Sequence, residues 1–342
     1  DTFSVDEEGC SETEGSTGFF EWTIAGYGSN INRFMVKWLE SIIHGSNDIA
    51  VVTAYNRIEA FHYVRCLEES GGLVTDGGWS CIFEDMPHIC PLNKEKDWMH
   101  LMMSRGVSYK ERQVAQANQS YHFMPQNVDE IEKALDGSGV DIISAMAALL
   151  GYLHSHRQPW LKKDIERVLR KSEIAPVRAG AYIGIHVRRG DKLLHEARRH
   201  ETEEYLSCAA SVLRRGLTET RMSIADVKGI WVSSDDPAII LEMKCLAPEF
   251  FPSVDEANIV WISSRAVSGK HHHNDASYDS FVIWFAELEM LANAELFVGT
   301  FSSNVARMLV LMREANRLPR DTTISIDRPE WSPGRRLDRR AN

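Results

Sequence analysis

The second half of the chain alternates between two kinds of segment, and that alternation restricts its fold more than any other feature. Four short β-rich runs occur there: AYIGIHV (181–187), GIWVSSD (229–235), IVWISS (259–264) and AELFVGTF (294–301). Stretches of helical period separate or follow them at 202–215, 238–246, 278–292 and 303–315. A strand followed by a helix cannot close a tight hairpin with the next strand. The helix returns the chain, and successive strands lie parallel. Near-continuous apolar runs suit a sheet covered on both faces. Residues 176–328 are therefore expected to form an α/β domain with an open parallel sheet.

A weaker version of the pattern precedes it. IAVVTAY (49–55) reads as one buried strand, and FFEWTIAGYGSNINRFMVKWL (19–39) sets Ile31, Phe34 and Trp38 at helical spacing after a glycine-punctuated loop. VDIISAMAALLGYLHSH (140–156) and PWLKKDIERVLRKS (159–172) read as helices, the second with Pro at its start. Residues 70–93 are full of turn formers, and 93–130 are polar and without clear period. With 342 residues the chain exceeds what one core usually serves. Two α/β domains facing a cleft, 19–175 and 176–328, are the expected architecture. An acidic, flexible leader (1–18) and a Pro/Gly/Arg-rich tail (329–342) flank them.

A net charge of −11 excludes a nucleic-acid partner held by general basicity, though not a local basic pocket. No apolar run of bilayer length occurs, so no membrane contact is expected from this segment. The chain opens at Asp1 without a secretory apolar region, as it would if an anchor or signal had been removed. The six cysteines (Cys10, Cys66, Cys81, Cys90, Cys208, Cys245) show no CxxC and no zinc spacing. They suit either scattered buried thiols or a secretory-pathway protein, and the sequon Asn118-Gln119-Ser120 agrees with the latter.

Ligands of open parallel sheets bind beyond the carboxyl ends of the strands. Arg188, Arg189, Asp191, Lys192 and Glu196 follow the first run, Asp235 and Asp236 close the second, and Ser302, Ser303 and Asn304 follow the last. Along a strand His186 and Arg188 project to one side, Ile185 and Val187 to the other. Arg188 is then a fixed cationic fork suited to phosphate oxygens, or else a brace between domains through Asp235 or Asp236. Ser302 and Ser303 open a helix whose N-terminal N–H groups favour an anion, or they merely cap it. Together these groups describe a diphosphate cradle without a P-loop or a GxGxxG loop. Glu287 borders an apolar helical stripe of Trp284, Leu288 and Leu291, where a carboxylate needs a donor partner. The edge of a guanine base or a nearby arginine would serve. No metal site stands out: Asp235-Asp236 is not DxD, and His271–His273 read as a solvated loop.

At this level of detail the chain resembles the core α1,6-fucosyltransferases of N-glycan processing and the bacterial nodulation fucosyltransferases. IGIHVRRGDKLLHEARRHETEEYL looks like the first motif of that family, WVSSDDP like its second and FVGTFSSNVAR like its third. RQPWLKKDIE, GYGSNINR and GGWSCIF are similar to further family segments, and the likeness spans roughly 19–327. It implies a GT-B-like pair of Rossmann-like domains, the C-terminal one binding the nucleotide sugar. It also implies an inverting transfer of fucose from GDP-β-L-fucose to a GlcNAc 6-hydroxyl of an N-glycan core, with no metal or other cofactor. His186 and Arg188 match the family's donor-binding pair, Arg189 its second essential arginine, and Lys192 and Glu196 its catalytic pair with Glu196 as base. Asp235 and Asp236 match its acidic pair. Glu287 falls where the family reads guanine with an aspartate, and Ser303 and Asn304 fall near the phosphates. A disulfide between Cys10 and Cys90 is implied by position, and Cys66 with Cys81 is a second expectation. The partners implied are GDP-fucose and an oligosaccharide or glycoprotein acceptor, in the Golgi lumen for the full-length protein. Related readings are a transferase acting on a chitin-type oligosaccharide or a protein hydroxyl, and a glycan-binding relative without turnover. Gly190 stands where the family has Thr, Leu193-Leu194-His195 replace smaller residues, and loop 265–280 does not align.

Overall fold

The computed structural model describes residues 18–21, 31, 34–36, 38–39, 42–43, 49–52, 83–84, 89–92, 128–171, 174, 177, 181–189, 198–216, 222–261 and 278–331. They fall into two compact units, one within Asp1–Glu59, Arg65–His156 and Ser332–Asn342, the other within Ala60–Val64 and Arg157–Trp331.

In the first unit, strands β1 (Gly18–Glu21), β2 (Ile49–Val52) and β3 (Ile89–Leu92) pair in parallel in that order. Only β2 lies in a run read as a strand. β3 contains Pro91, which has no ladder donor and is tolerated because β3 is an edge. Helices α1 (Val128–Leu135) and α2 (Ile142–Ser155) follow. The Asp141 carboxylate accepts the Ser144 N–H at 2.8 Å, capping α2. The α2 stripe Ile142, Met146, Leu150 and Leu153 is buried, and Ile31, Phe34 and Trp38 are buried as their spacing predicts. Trp38 meets Tyr152 edge-on at 6.0 Å between ring centroids.

The second unit contains α3 (Pro159–Leu169), β4 (Tyr182–Val187), α4 (Thr202–Arg215), β5 (Gly229–Ser234), α5 (Ala238–Phe250), β6 (Ile259–Val260), α6 (Tyr278–Asn293), β7 (Leu296–Gly299), α7 (Asn304–Ala315) and β8 (Thr323–Ser325). Its five strands are all parallel, in the order β6-β5-β4-β7-β8. The chain winds outward from β4 to β6, then returns to lay β7 on the other side of β4. The strand order therefore reverses between β4 and β7. The boundary between units lies before α3 rather than after residue 175, because α3 packs on α6.

Each face of this sheet has its own cover. Ile183, Ile185, Val187, Ile230, Val232, Leu296 and Val298 pack against Tyr205, Leu206, Ala209 and Leu213 of α4 and Ile239 and Met243 of α5. On the opposite face a Cβ at Gly184 would lie 3.0 Å from Ala294 Cβ and 3.2 Å from Leu291 Cδ2, so this glycine lets the end of α6 press onto β4. Arg313 of α7 is almost fully buried, and its guanidinium donates to the carbonyl of Ala294 at 2.5 Å and to the Thr322 and Thr323 hydroxyls at 2.6 and 2.8 Å. It ties the start of β7 to the start of β8.

Of the run 259–264, Ile259 and Val260 form β6 and residues 262–264 lie outside the described residues, and β8 lies outside every run read as a strand. Gly184→Val is expected to cost about 1–3 kcal/mol through overpacking against α6. A urea midpoint equal to that of the parent would mean that α6 is not pressed onto β4.

Candidate active site

A reversal of strand order opens a crevice beyond the carboxyl ends of the two strands that flank it. Here those strands are β4, which runs into Arg188 and Arg189, and β7, which runs into Thr300-Phe301-Ser302-Ser303. The register Val187↔Ser234 sets Asp235, the residue after β5, beside the exit of β4. Its Oδ2 pairs with Arg188 Nη1 at 2.7 Å, and its Oδ1 accepts the Arg189 backbone N–H at 2.8 Å. The bracing partner considered for Arg188 is therefore present, and it lies within the same unit. The Arg188 side chain keeps 29% of its surface exposed, so the pair is accessible rather than sealed.

Arg189 projects to the other face of the sheet. Its Nη1 and Nη2 bond bidentately to Glu242 of α5 at 2.8 and 2.9 Å. Nη2 also reaches Thr202 Oγ1 at 3.1 Å and Glu201 Oε2 at 3.3 Å, and Nη1 lies 3.6 Å from Asp236. Burial opposes the charge, but the Glu242 hydrogen bonds and three neighbouring carboxylates outweigh it and raise the guanidinium above its ordinary value. The Glu242 carboxyl is lowered in turn, chiefly by Arg189. Among the described residues, Arg189 Nε has no acceptor. The second arginine thus ties the first turn of α4 to α5, and the structure separates it from Arg188. Glu242 is a residue that sequence reasoning missed. The signal was there, because it stands beside the buried Ile239 and Met243, the situation that singled out Glu287.

Glu287, on α6, is 4% exposed. Its Oε2 accepts a long hydrogen bond of 3.4 Å from the Ser233 hydroxyl, and its Oε1 has no partner among the described residues. Ser233 of β5 pairs in register with His186 of β4, itself buried, so both side chains lie on the face covered by α6. Among the described residues no arginine neutralises Glu287. Desolvation raises its carboxyl to about 8, the Ser233 hydroxyl offsetting this only in part. At neutral pH the group is largely protonated and buried.

Asn304 opens α7, with Ser303 as its N-cap residue but with no capping hydrogen bond from the Ser303 side chain. The Ser303 N–H instead bonds to Thr300 O at 3.0 Å. The N–H groups of Phe301 and Ser302 go to the Asp327 carboxylate at 2.8 and 3.0 Å. Arg307 Nη1 donates to Asn304 Oδ1 at 3.2 Å. Asp327 is a second residue not anticipated, since it follows the short β8.

Asp191, Lys192, Glu196, Cys10, Cys66, Cys81 and His271–His273 lie outside the described residues, as does the side chain of Cys90. Cys208 and Cys245 are free thiols. Among the described residues no group of three His, Cys, Asp or Glu side chains could hold a metal ion, and no helix is long and apolar enough to cross a membrane.

Residues 55–321 match the family model described as alpha-(1,6)-fucosyltransferase N- and catalytic domains. The chain is 26% identical over 151 residues to an alpha-(1,6)-fucosyltransferase of Caenorhabditis elegans, covering 44% of this chain and 25% of that protein. It is 27% identical over 128 residues to one of Drosophila melanogaster, covering 37% and 19%. These matches span a quarter or less of the length of the curated relatives. Among solved structures, the chain is similar to NodZ alpha-1,6-fucosyltransferase co-crystallised with GDP, with 11% identity, a TM-score of 0.45, and coverage of 88% of this chain and 92% of that one.

The raised Glu287 carboxyl has a sign that stability measurements can read. Between the usual glutamate range and about pH 8 the folded state holds a proton that the unfolded state has released. Stability is therefore lost as pH rises through that window, by up to about 1.4 kcal/mol per unit. Glu287→Gln removes this dependence, so its thermal midpoint should gain on that of the parent from pH 5 to pH 8 in nucleotide-free protein. A difference that stays constant with pH would show that Glu287 is not buried as the neutral acid.

Proposed function

The chain belongs to the alpha-(1,6)-fucosyltransferase family, and on that premise we propose that it is a glycosyltransferase moving fucose, with inversion, from GDP-β-L-fucose to the 6-hydroxyl of a GlcNAc in an N-glycan core. The observation that carries this reading is the pairing of two unlike groups near the carboxyl end of β4. Arg188 is a cation that stays partly exposed beside Asp235, and Glu287 is a buried carboxyl with an open acceptor oxygen. A guanosine diphosphate has the matching chemistry. The ring N–H and exocyclic amine of guanine donate side by side to a carboxylate, and the diphosphate accepts from a guanidinium and from the first turn of a helix.

In this mechanism the acceptor hydroxyl oxygen attacks the anomeric carbon of fucose from the face opposite GDP. Its proton passes to the Glu196 carboxylate as the new C–O bond forms. The bond from the anomeric carbon to the β-phosphate oxygen breaks, and its electron pair leaves on the diphosphate. Arg188 stabilises that growing negative charge, assisted by the N-terminus of α7 with Ser302, Ser303 and Asn304. Lys192 keeps Glu196 ionised and in place. Glu287 holds the guanine, His186 belongs with Arg188 to the donor-binding pair, and Asp235 and Asp236 hold the two arginines. Every charge that moves in this scheme is met by a side chain, and no step calls for a metal. The crowding of four cysteines into the first ninety residues, together with the sequon at Asn118, supports a luminal setting such as the Golgi.

GDP release from GDP-fucose, measured against N-glycan core, chitin-type and peptide acceptors, tests the reading. Transfer to the N-glycan core is expected. Turnover only on another acceptor would make this a related fucosyltransferase, and GDP binding without turnover would make it a glycan-binding protein. Glu196→Gln should lower the transfer rate by about 10²–10⁴-fold while GDP still binds. Retention of the full rate would eliminate Glu196 as the base. EDTA should leave the rate unchanged, and a sharp loss would contradict the metal-free mechanism.

A further inference from the structure

The turn between β7 and α7 is gripped from two sides. Asp327, two residues past β8, accepts the Phe301 N–H at 2.8 Å on Oδ1 and the Ser302 N–H at 3.0 Å on Oδ2, while the Ser325 hydroxyl donates to Oδ1. On the other side Arg307 of α7, 6% exposed, donates from Nε to the Phe301 carbonyl at 2.5 Å and from Nη1 to Asn304 Oδ1 at 3.2 Å. The N–H and the C=O of Phe301 are thus both held by charged side chains, one from beyond β8 and one from α7. Burial works against the Asp327 charge, but the Ser325 and Ser302 hydroxyls and the two backbone N–H groups outweigh it and keep the carboxyl below its usual range.

A turn at a helix N-terminus ordinarily leaves its N–H groups to whatever anion arrives. In this turn those of Phe301 and Ser302 are already committed to a carboxylate, and that of Ser303 to Thr300 O. They are donors spent on shape. With Arg307 engaging Oδ1, the Asn304 amide is also fixed in one flip, its N–H₂ directed away from the guanidinium. We propose that Asp327 is a positioning residue for the donor's diphosphate. It acts through the Phe301-Ser302 turn and sets Ser303, Asn304 and the first turn of α7 in the orientation that receives the phosphates. The inference rests on the proposed use of this crevice by GDP-fucose.

Two effects of Asp327 on a bound diphosphate oppose each other. Its negative charge repels the ligand, and its grip preorganises the turn. The charge is compensated locally by four donors, whereas the Ser302 N–H has Asp327 as its acceptor and the Phe301 N–H is shared between Asp327 and the Ser325 hydroxyl at 3.0 Å, a hydroxyl that itself donates to Asp327, so preorganisation decides the sign. Removal of the carboxylate should weaken nucleotide binding, although it removes a like charge.

The test uses the full chain with Asp327→Ala and with Asp327→Asn, which keeps the shape and one acceptor oxygen. Calorimetry gives the GDP affinity, steady-state kinetics give KM for GDP-fucose and kcat, and hydrogen exchange follows the Phe301 and Ser302 amides in nucleotide-free protein. Asp327→Ala should raise the GDP Kd and the KM by about tenfold, the loss of one charge-assisted hydrogen bond's worth of positioning, with a smaller effect from Asp327→Asn and little change in kcat. Both amides should exchange faster in Asp327→Ala. GDP affinity that is unchanged or improved in both variants, or an effect confined to the thermal midpoint, overturns the positioning role. Failure of the parent to bind GDP would instead overturn the functional reading itself.

Discussion

The carboxylate of Asp235 joins the ends of the two central strands, and the candidate site is organised around it. One oxygen holds the Arg189 backbone and the other the Arg188 guanidinium. This carboxylate fixes the chain at the point where it leaves β4, where strand alternation sends two consecutive arginines to opposite faces. Arg188 stays at the crevice, where a charge is useful to a ligand. Arg189 goes under the sheet, where it is matched by Glu242, Thr202 and Glu201. A buried guanidinium is tolerable only with partners of that quality. The end of β4 therefore carries one cation that stays accessible and one spent on architecture.

The same contrast appears among the acids. Glu242 and Glu287 both lie on helices beside apolar neighbours, and each would be costly if ionised alone. Glu242 is saturated by Arg189 and Thr202 and stays charged. Glu287 has one weak donor and an open oxygen, and it is pushed toward the neutral form. A paired buried carboxylate needs no ligand to account for it. One without a strong partner among the described residues, beside Ser233 of β5, is suited to a ligand that brings its own donors.

Much of this was legible in the sequence. The alternation of apolar runs and helical stripes locates β4, β5, β7 and α4 through α7, because two-sided burial writes its period directly into residues such as Ile183, Ile185 and Val187. Strands β1, β3 and β8 were not legible. β1 and β3 have four residues each and β8 only three, and β8 is half-buried, so pairing rather than composition makes them strands. In the site, Arg188, Asp235 and Glu287 stand out from their positions alone. Glu242 and Asp327 do not, because their partners Arg189 and Phe301 are distant in the chain and only the sheet brings them together. Alternation along β4 already put His186 and Arg188 on one side. That Arg189 serves structure rather than ligand depended on what waits on the other face.

The central claim is that this crevice holds a guanosine diphosphate with Glu287 as the acceptor for the base. Calorimetric titration with GDP and with ADP, at pH 7 in two buffers of different ionisation enthalpy, tests it most directly. GDP should bind with release of a proton, since the donors of guanine favour the ionised carboxylate of a group that otherwise titrates at about 8, and ADP should bind far more weakly. Equal affinity for the two nucleotides, or GDP binding without proton exchange, would contradict the account.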